Sequence, residues 1–269
     1  NQPVVLYRKG DGTAVAVAGR CPHRHFPLGE SKRVGDAIQC GYHGITFGAD
    51  GKCTFIPSQA TVPGVYSIHA YPLVERGLWA WIWPGDPDKA DESLLPTEEE
   101  IGFSRSADFH AKPFYHHHVN GRYQLLNDNL LDLTHLGYLH GGSIGTADDA
   151  ATPEQRDQNA RRLRSRRIMK NTPPPPVTRE RFGIDCPVDR ISGMDFFYPG
   201  FHAGIGDSQV AEGYPDAGRQ LNSSRVWHAV TPATKTTTNY FFAMGSPDRE
   251  GVEFMVEYLK PVLAEDIFA

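Results

Sequence analysis

Four residues pose the first chemical question. Cys21 and His23 lie in Cys21-Pro22-His23-Arg24, and Cys40 and His43 lie in Cys40-Gly41-Tyr42-His43-Gly44. Sixteen residues, Arg24 through Gln39, run between His23 and Cys40. Each half offers one thiolate and one imidazole, and two such loops can close on one compact centre. A Cys2His2 donor set can hold structural zinc. It can also hold a [2Fe–2S] cluster, with both Cys on one iron and both His on the other, at a higher reduction potential than an all-cysteine ferredoxin. Zinc fingers usually pair Cys with Cys and His with His, whereas here each half is mixed, so the cluster is preferred. His25 reads as a loop histidine, not a ligand.

A second group lies in Asn127-Asp128-Asn129-Leu130-Leu131-Asp132-Leu133-Thr134-His135-Leu136-Gly137-Tyr138-Leu139-His140. His135 and His140 are five apart, which on a regular helix turns their projections about 140° away from each other. An irregularity between them, expected at Gly137, would let both imidazoles reach one metal. Asp132 is three residues from His135, so it is placed to buttress that ligand rather than to be one. Two His and one carboxylate with open positions is the donor set of non-haem Fe(II) oxygenases. The carboxylate must come from elsewhere; Glu265 and Asp266 are candidates, with Asp266 preferred. Alone, this His pair would read as two satisfied histidines. The Cys/His loops tip the balance toward a second metal, fed by the first.

These residues need elements to hold them. Val4–Tyr7, Ala14–Val17, Ala37–Gln39 and Ile45–Phe47 are short β-prone runs, and Gly10-Asp11-Gly12, Gly35-Asp36 and Asp50-Gly51 supply turns. This predicts a small antiparallel sandwich or barrel. Leu78–Trp83 alternates with period two, and its three Trp read as one sheet face. Pro84-Gly85-Asp86-Pro87 breaks it, so domains are expected over 1–85 and 86–269. The second part reads as α+β: a helical stretch over Asn127–His140 closed by Gly141-Gly142, strands at Asp195–Tyr198 and Thr237–Phe242, and a helix from Glu253 to Phe268 apart from Pro261. Arg161–Arg167 holds five Arg in seven residues; a solvated face is the default, and a docking patch for an acidic redox partner the alternative. Pro173–Pro176 reads as a loop of polyproline character and a candidate lid.

With 269 residues, 39% hydrophobic and 22% charged, the chain can build packed cores. Its net charge of −5 suggests no nucleic-acid partner. No run of ~18 apolar residues predicts a membrane span. The first residues do not read as a signal peptide, and both ends read as trimmed from a longer protein. Cys53 and Cys186 read as packed thiols, not a disulfide framework, and a reducing cytoplasm fits.

Together, Cys-Pro-His-Arg, Cys-Gly-Tyr-His-Gly, Trp-Ile-Trp-Pro-Gly-Asp-Pro and the long Asn127–His140 motif resemble the oxygenase component of Rieske non-haem iron oxygenases, in the subgroup of vanillate O-demethylase and dicamba monooxygenase. The resemblance covers nearly the whole chain. It implies an α+β fold: an N-terminal all-β Rieske [2Fe–2S] domain and a C-terminal catalytic domain with an antiparallel sheet and helices. It carries over Cys21, His23, Cys40 and His43 as cluster ligands, and His135, His140 and Asp266 as ligands of a mononuclear Fe(II). Asp132 becomes the bridge between a cluster-ligand His and an iron-ligand His, with Asn129 near the iron. The family pairs cluster and iron across subunits, which implies a head-to-tail homotrimer in which His43 meets the neighbour's Asp132.

The implied activity uses O2 and electrons from an NAD(P)H-dependent reductase, with or without a ferredoxin. It hydroxylates a methyl or methoxy group of a small aromatic substrate, an acid by preference; O-demethylation is favoured over methyl or ring hydroxylation. Phe196, Tyr198, Phe201, His202, Phe241 and Phe242 are pocket candidates, though core packing suits each as well. Asn222, Arg225 or His228 could hold a carboxylate. A Rieske electron-transfer protein and a zinc-stabilised binding module are the rivals of other classes. The ~180 residues after the break, with their own motif, argue against both.

Overall fold

The computed structural model describes residues 2–268. The chain divides into two compact units, Asn1–Leu95 and Pro96–Ala269. The division falls past the Pro84–Pro87 break because Arg76 bonds Glu92 and the Leu95 carbonyl, which keeps the following turns with the first unit. Among the described residues no helix is long and apolar enough to cross a membrane.

The first unit is all β. β1 (Val4–Arg8), β2 (Ala14–Ala18), β3 (Lys32–Val34), β4 (Ala37–Gln39), β5 (Thr46–Phe47), β6 (Cys53–Phe55), β7 (Ala70–Tyr71), β8 (Leu73–Arg76) and β9 (Trp79–Ile82) follow in order. They pair into sheets β1-β2-β7, β3-β4-β5-β6 and β8-β9. Val17, Leu28, Ile38, Ile45 and Phe47 form the core, and Cys21 and Cys40 belong to it. Trp79 and Trp81 share the partly buried face of β9, as alternation predicts.

The second unit is built on one antiparallel sheet of seven strands. In chain order it has β10 (His110–Val119), α1 (Tyr123–Leu131), α2 (Ala147–Ala151), β11 (Gln155–Gln158), β12 (Arg162–Thr172), α3 (Pro176–Phe182), β13 (Val188–Phe197), β14 (Phe201–Val210), β15 (Gln220–Pro232), β16 (Thr238–Ser246) and α4 (Arg249–Phe268). The sheet order is β10-β16-β15-β14-β13-β12-β11. α4 lies on the sheet through Val252, Val256, Leu259, Val262 and Leu263, an i, i+3/i+4 stripe packed on Tyr240, Phe242 and Met244. The helix continues through Pro261, where a break was expected.

The arginine run is neither a solvated face nor a free patch. It enters β12, where Arg164 and Arg166 both engage the buried Asp195 at 2.9 Å. Arg162 pairs with Asp157, Arg161 with Glu100, and Arg167 is itself buried. Asp157 and Asp195 on the two neighbouring strands, and Glu100 in the loop before β10, absorb the charge. Of Pro173–Pro176, the last residue begins α3, and Pro175 faces the cavity described below.

Candidate metal centres

The two Cys/His loops are built alike. The Cys21 amide donates to the Phe26 carbonyl, and its own carbonyl accepts from the His25 amide. The Cys40 amide likewise donates to the Ile45 carbonyl, and its carbonyl accepts from the Gly44 amide. The fourth residue after each Cys takes a left-handed φ: 54° at His25 and 72° at Gly44. His25 therefore turns the loop, the job glycine does in the other one.

Cys21 and Cys40 are buried, and no disulfide joins them. Burial pushes the Cys21 thiol up, and the adjacent Cys40 thiol adds to the shift. His23 and His43 sit outward with ring centroids 4.6 Å apart. Two buried sulfurs side by side and two exposed imidazoles edge to edge suit a cluster with its Cys-ligated iron inside and its His-ligated iron at the surface.

In the second unit α1 ends at Leu131, and the irregularity falls at Asp132, not at Gly137. Asp132 leaves the helical region (φ −89°, ψ 84°) and caps a 3-10 segment, Leu133–Gly137. Its carboxylate accepts from the Thr134 amide at 3.0 Å and from the Thr134 hydroxyl at 2.5 Å. Those two bonds hold the Asp132 carboxyl below its usual range. Asp132 does support His135, but through its backbone: the carbonyl takes the His135 Nδ1–H. Gly137 serves a close crossing instead. A Cβ there would lie 2.6 Å from the Thr146 carbonyl, and one at Gly145 would lie 1.8 Å from the Leu136 carbonyl.

His135, His140 and Asp266 come together, with one ligand atom from each inside a 4.8 Å span. His135 Nε2 is 3.8 Å from Asp266 Oδ1, and His140 Nε2 is 3.1 Å from the same oxygen. The buried His140 gives its Nδ1 to Glu265 Oε2 at 2.6 Å. Glu265 is thus the partner of a ligand, and Asp266 the carboxylate turned to the centre. Burial pushes the His140 imidazole down, but Asp266 and Glu265 outweigh it and raise its pKa. Two Nε2 atoms and one carboxylate oxygen converging in a partly apolar cavity suit an Fe(II) ion.

The cavity, of about 250 Å³, lies between the sheet and α4 and reaches all three residues. Asn129, Asn222, His228 and Phe242 line it. Phe196, Phe201 and His202 pack in the sheet instead, and Tyr198 and Phe241 do not line it. Arg225 pairs with Asp207 at 3.1 Å. Asn222 and His228 are six residues apart on one strand, so one small carboxylate does not reach both.

Other residues matter that the motifs did not flag. Tyr240 lines the cavity, and its hydroxyl lies 2.5 Å from His228 Nδ1. Burial, then the nearby Asp266 charge, pushes the Tyr240 hydroxyl well up; burial, with His202 beside it, pushes the His228 imidazole well down. Both groups are neutral, and in the tautomer with Tyr240 donating, His228 carries its proton on Nε2. Asn127 ties α1 to the sheet, donating to the Pro199 carbonyl at 3.0 Å and meeting His202 Nε2 at 2.9 Å. Register across β15 and β16 brings Tyr240 to His228, a pairing that no local spacing reveals.

Residues 1–72 match the Rieske [2Fe-2S] domain, and residues 119–268 match the Vanillate O-demethylase oxygenase C-terminal domain. The iron-sulfur subunit of the toluene-4-sulfonate monooxygenase system of Comamonas testosteroni is 33% identical over 90% of this chain and 70% of its own length. The oxygenase component of dicamba O-demethylase from Stenotrophomonas maltophilia is 33% identical over 93% of this chain and 74% of its own. The crystal structure of dicamba monooxygenase bound to dicamba superposes with a TM-score of 0.87 at 26% identity, covering 99% of this chain and 78% of that one.

Proposed function

The chain belongs to the Rieske non-haem iron oxygenases, in the group of vanillate O-demethylase and dicamba monooxygenase, and on that premise we propose that it is the terminal oxygenase of a multicomponent monooxygenase. Its substrate is an aromatic molecule, an acid by preference, and its reaction is hydroxylation of a methyl or methoxy group, with O-demethylation favoured. Cys21, His23, Cys40 and His43 hold the cluster in the first unit, and His135, His140 and Asp266 hold the iron in the second. The convergence of those three ligand atoms on an apolar cavity carries this reading.

When bound, the cluster delivers single electrons and the iron activates O2. The protein's part is geometric. Asp132 and Glu265 each take an Nδ1–H, which leaves His135 and His140 with Nε2 lone pairs aimed at one point. Leu130, Leu133, Val262 and Leu263 keep water from that point. Asn129 lies beside the ligands in the same wall. His228, fixed by Tyr240, offers an Nε2–H donor to a polar atom of the substrate. Hydroxylation of a methoxy carbon gives a hemiacetal, which collapses to a phenol and formaldehyde.

Electrons come from an NAD(P)H-dependent reductase, directly or through a ferredoxin, in a reducing cytoplasm. The oxygenase assembles as a head-to-tail trimer, in which His43 of one subunit meets Asp132 of the next. Exposure supports this: Asp132 and Tyr138 (84% exposed) lie open beside the iron ligands, and Tyr42 (60% exposed) and His43 lie open on the cluster loop. Turnover with methoxybenzoates, a reductase and NAD(P)H tests the activity. Formaldehyde should appear with consumption of NAD(P)H; reduction of the iron centres without any hydroxylated product sinks the reading.

A further inference from the structure

The cavity is a slot along the sheet, and its two ends differ in chemistry. The register of β13 to β16 arranges its floor in rows. His228 pairs with Phe242 in the row beside the ligands, where Tyr240 feels the Asp266 charge. The next row is apolar: Met194, Gly204 and Val226. Beyond it lie Ser192, Gly206 and Ser224, and then Arg190, Ser208 and Asn222. From His228 to Asn222 is six residues of β15, about 20 Å at ~3.3 Å per residue.

Two features mark the far end as a place for a ligand. Arg190 and Ser208 pair across β13 and β14, each is 8% exposed, and both border the cavity. Arg190 bonds Asp149 at 2.7 Å and Thr146 at 2.5 Å, yet its Nε has no partner; nor has the Ser208 hydroxyl. Two buried donors without an acceptor, on adjacent strands, are costly unless something supplies one. Between the ends β14 adds only Gly204 and Gly206 to the floor, flanked by Met194 and Ser192 on β13 and by Val226 and Ser224 on β15. A Cβ at Gly204 would lie 2.4 Å from Val226 Cγ2, and one at Gly206 would lie 3.3 Å from the Ser224 hydroxyl. The glycines make room for these neighbouring side chains and keep β14 from raising the floor further.

We propose that the slot takes an elongated substrate: an aryl methyl or methyl-ether end at the metal, an apolar arm over Gly204 and Gly206, and a terminal carboxylate at Arg190 and Ser208. The chemistry at the metal end rests on the oxygenase reading above. The far end stands on the slot itself. A compact aromatic acid fills only the metal end and leaves both donors unmet.

The test is binding to the iron-loaded protein by calorimetry. The ligands are 4-methoxyphenyl alkanoic acids with short, medium and long polymethylene arms, each beside its methyl-terminated counterpart. The comparison at equal length removes the gain from burying methylenes. The carboxylate should bring at least tenfold tighter binding on the long arm and little on the short one. Ser208→Ala and Gly206→Leu should each shrink that long-arm advantage severalfold or more; Arg190→Gln should abolish it, and the first two variants decide if it does not fold. A carboxylate advantage that is absent at every length, or greatest on the shortest arm, overturns the proposal. So does an advantage untouched by Ser208→Ala and Gly206→Leu. Formaldehyde release separates the two readings. Long acids that bind as expected without it sink the oxygenase alone, and demethylation of short acids with indifference to long ones sinks the slot alone.

Discussion

Glu265 and His140 meet at 2.6 Å through Oε2 and Nδ1, which leaves His140 Nε2 as the nitrogen facing Asp266. The carboxylate next to a ligand in sequence therefore acts on a different ligand in space. Glu265→Gln keeps the shape but replaces a charged acceptor with an amide. Fe(II) affinity of the second site should fall about 10–100-fold, as for other partners of ligating histidines. Metal titration checks this, with the visible spectrum of the cluster as internal control. Unchanged affinity would remove Glu265 from the site.

Asp132→Asn separates capping from charge. Asn caps as well as Asp does, so the Thr134 bonds and the carbonyl to His135 should survive and Tm should change little. Turnover should nearly vanish with the cluster spectrum intact, because the proposed negative bridge to the neighbour's His43 would be gone. Normal turnover would break the proposed electron path and leave the cluster assignment standing.

Tyr240→Phe removes the donor that fixes His228. His228 Nδ1 is then buried without a partner, at a cost of about 1–3 kcal/mol in stability. The Nε2–H is no longer enforced, so KM for a polar substrate should rise severalfold while iron content stays constant. His228→Gln supplies a side-chain N–H of its own, and in that background Tyr240→Phe should have little further effect on KM. A full additive effect would contradict the proposed coupling.

Stability should fall in mild acid. Burial pushes the His202 imidazole down to about 3, and the neighbouring His228 is also depressed. Both are neutral in the folded protein, while the unfolded chain takes up their protons below ~6.5. Stability is thus present in full above that pH and is lost as pH falls toward the folded values. Each imidazole contributes about 1.4 kcal/mol per pH unit to the loss. Thermal melts between pH 7.5 and 5 should show Tm dropping with pH; a flat profile would place water at these rings.

Iron content is the simplest check of the whole arrangement. About three iron atoms per chain are expected, two in the cluster and one in the triad. Two per chain, without recovery on adding Fe(II), would favour the electron-transfer protein instead.

The sequence carried much of this plan because every donor but Asp266 lies in a short motif. The loops at Cys21 and Cys40 and the His135/His140 pair are local patterns, and so are the strands before Pro84, whereas Asp266 as a ligand came through the family resemblance. What stayed hidden depends on register or on distant partners. The helix break falls at Asp132, whose side chain caps the following 3-10 segment through Thr134, while Gly137 was needed for a crossing that spacing does not show. The arginines looked solvated because Asp195 and Glu100 are far away in sequence and Asp157 meets Arg162 only through the pairing of β11 with β12. Asn222 and His228 looked like alternatives for one carboxylate; strand rise sets them at opposite ends of the slot.

The crossing of Leu136–Gly137 over Gly145–Thr146 bears on how such an enzyme can change. At Gly145 an added methyl would meet backbone 1.8 Å away, with no side chain able to yield. Gly137 and Gly145, beside the proposed iron ligands, are therefore closed to larger residues. The slot walls, made of Met194, Val226 and Met255 among others, can be exchanged one volume at a time. Selection for a new substrate should accumulate in those walls and leave the crossing untouched, so the chemistry is inherited while the specificity drifts.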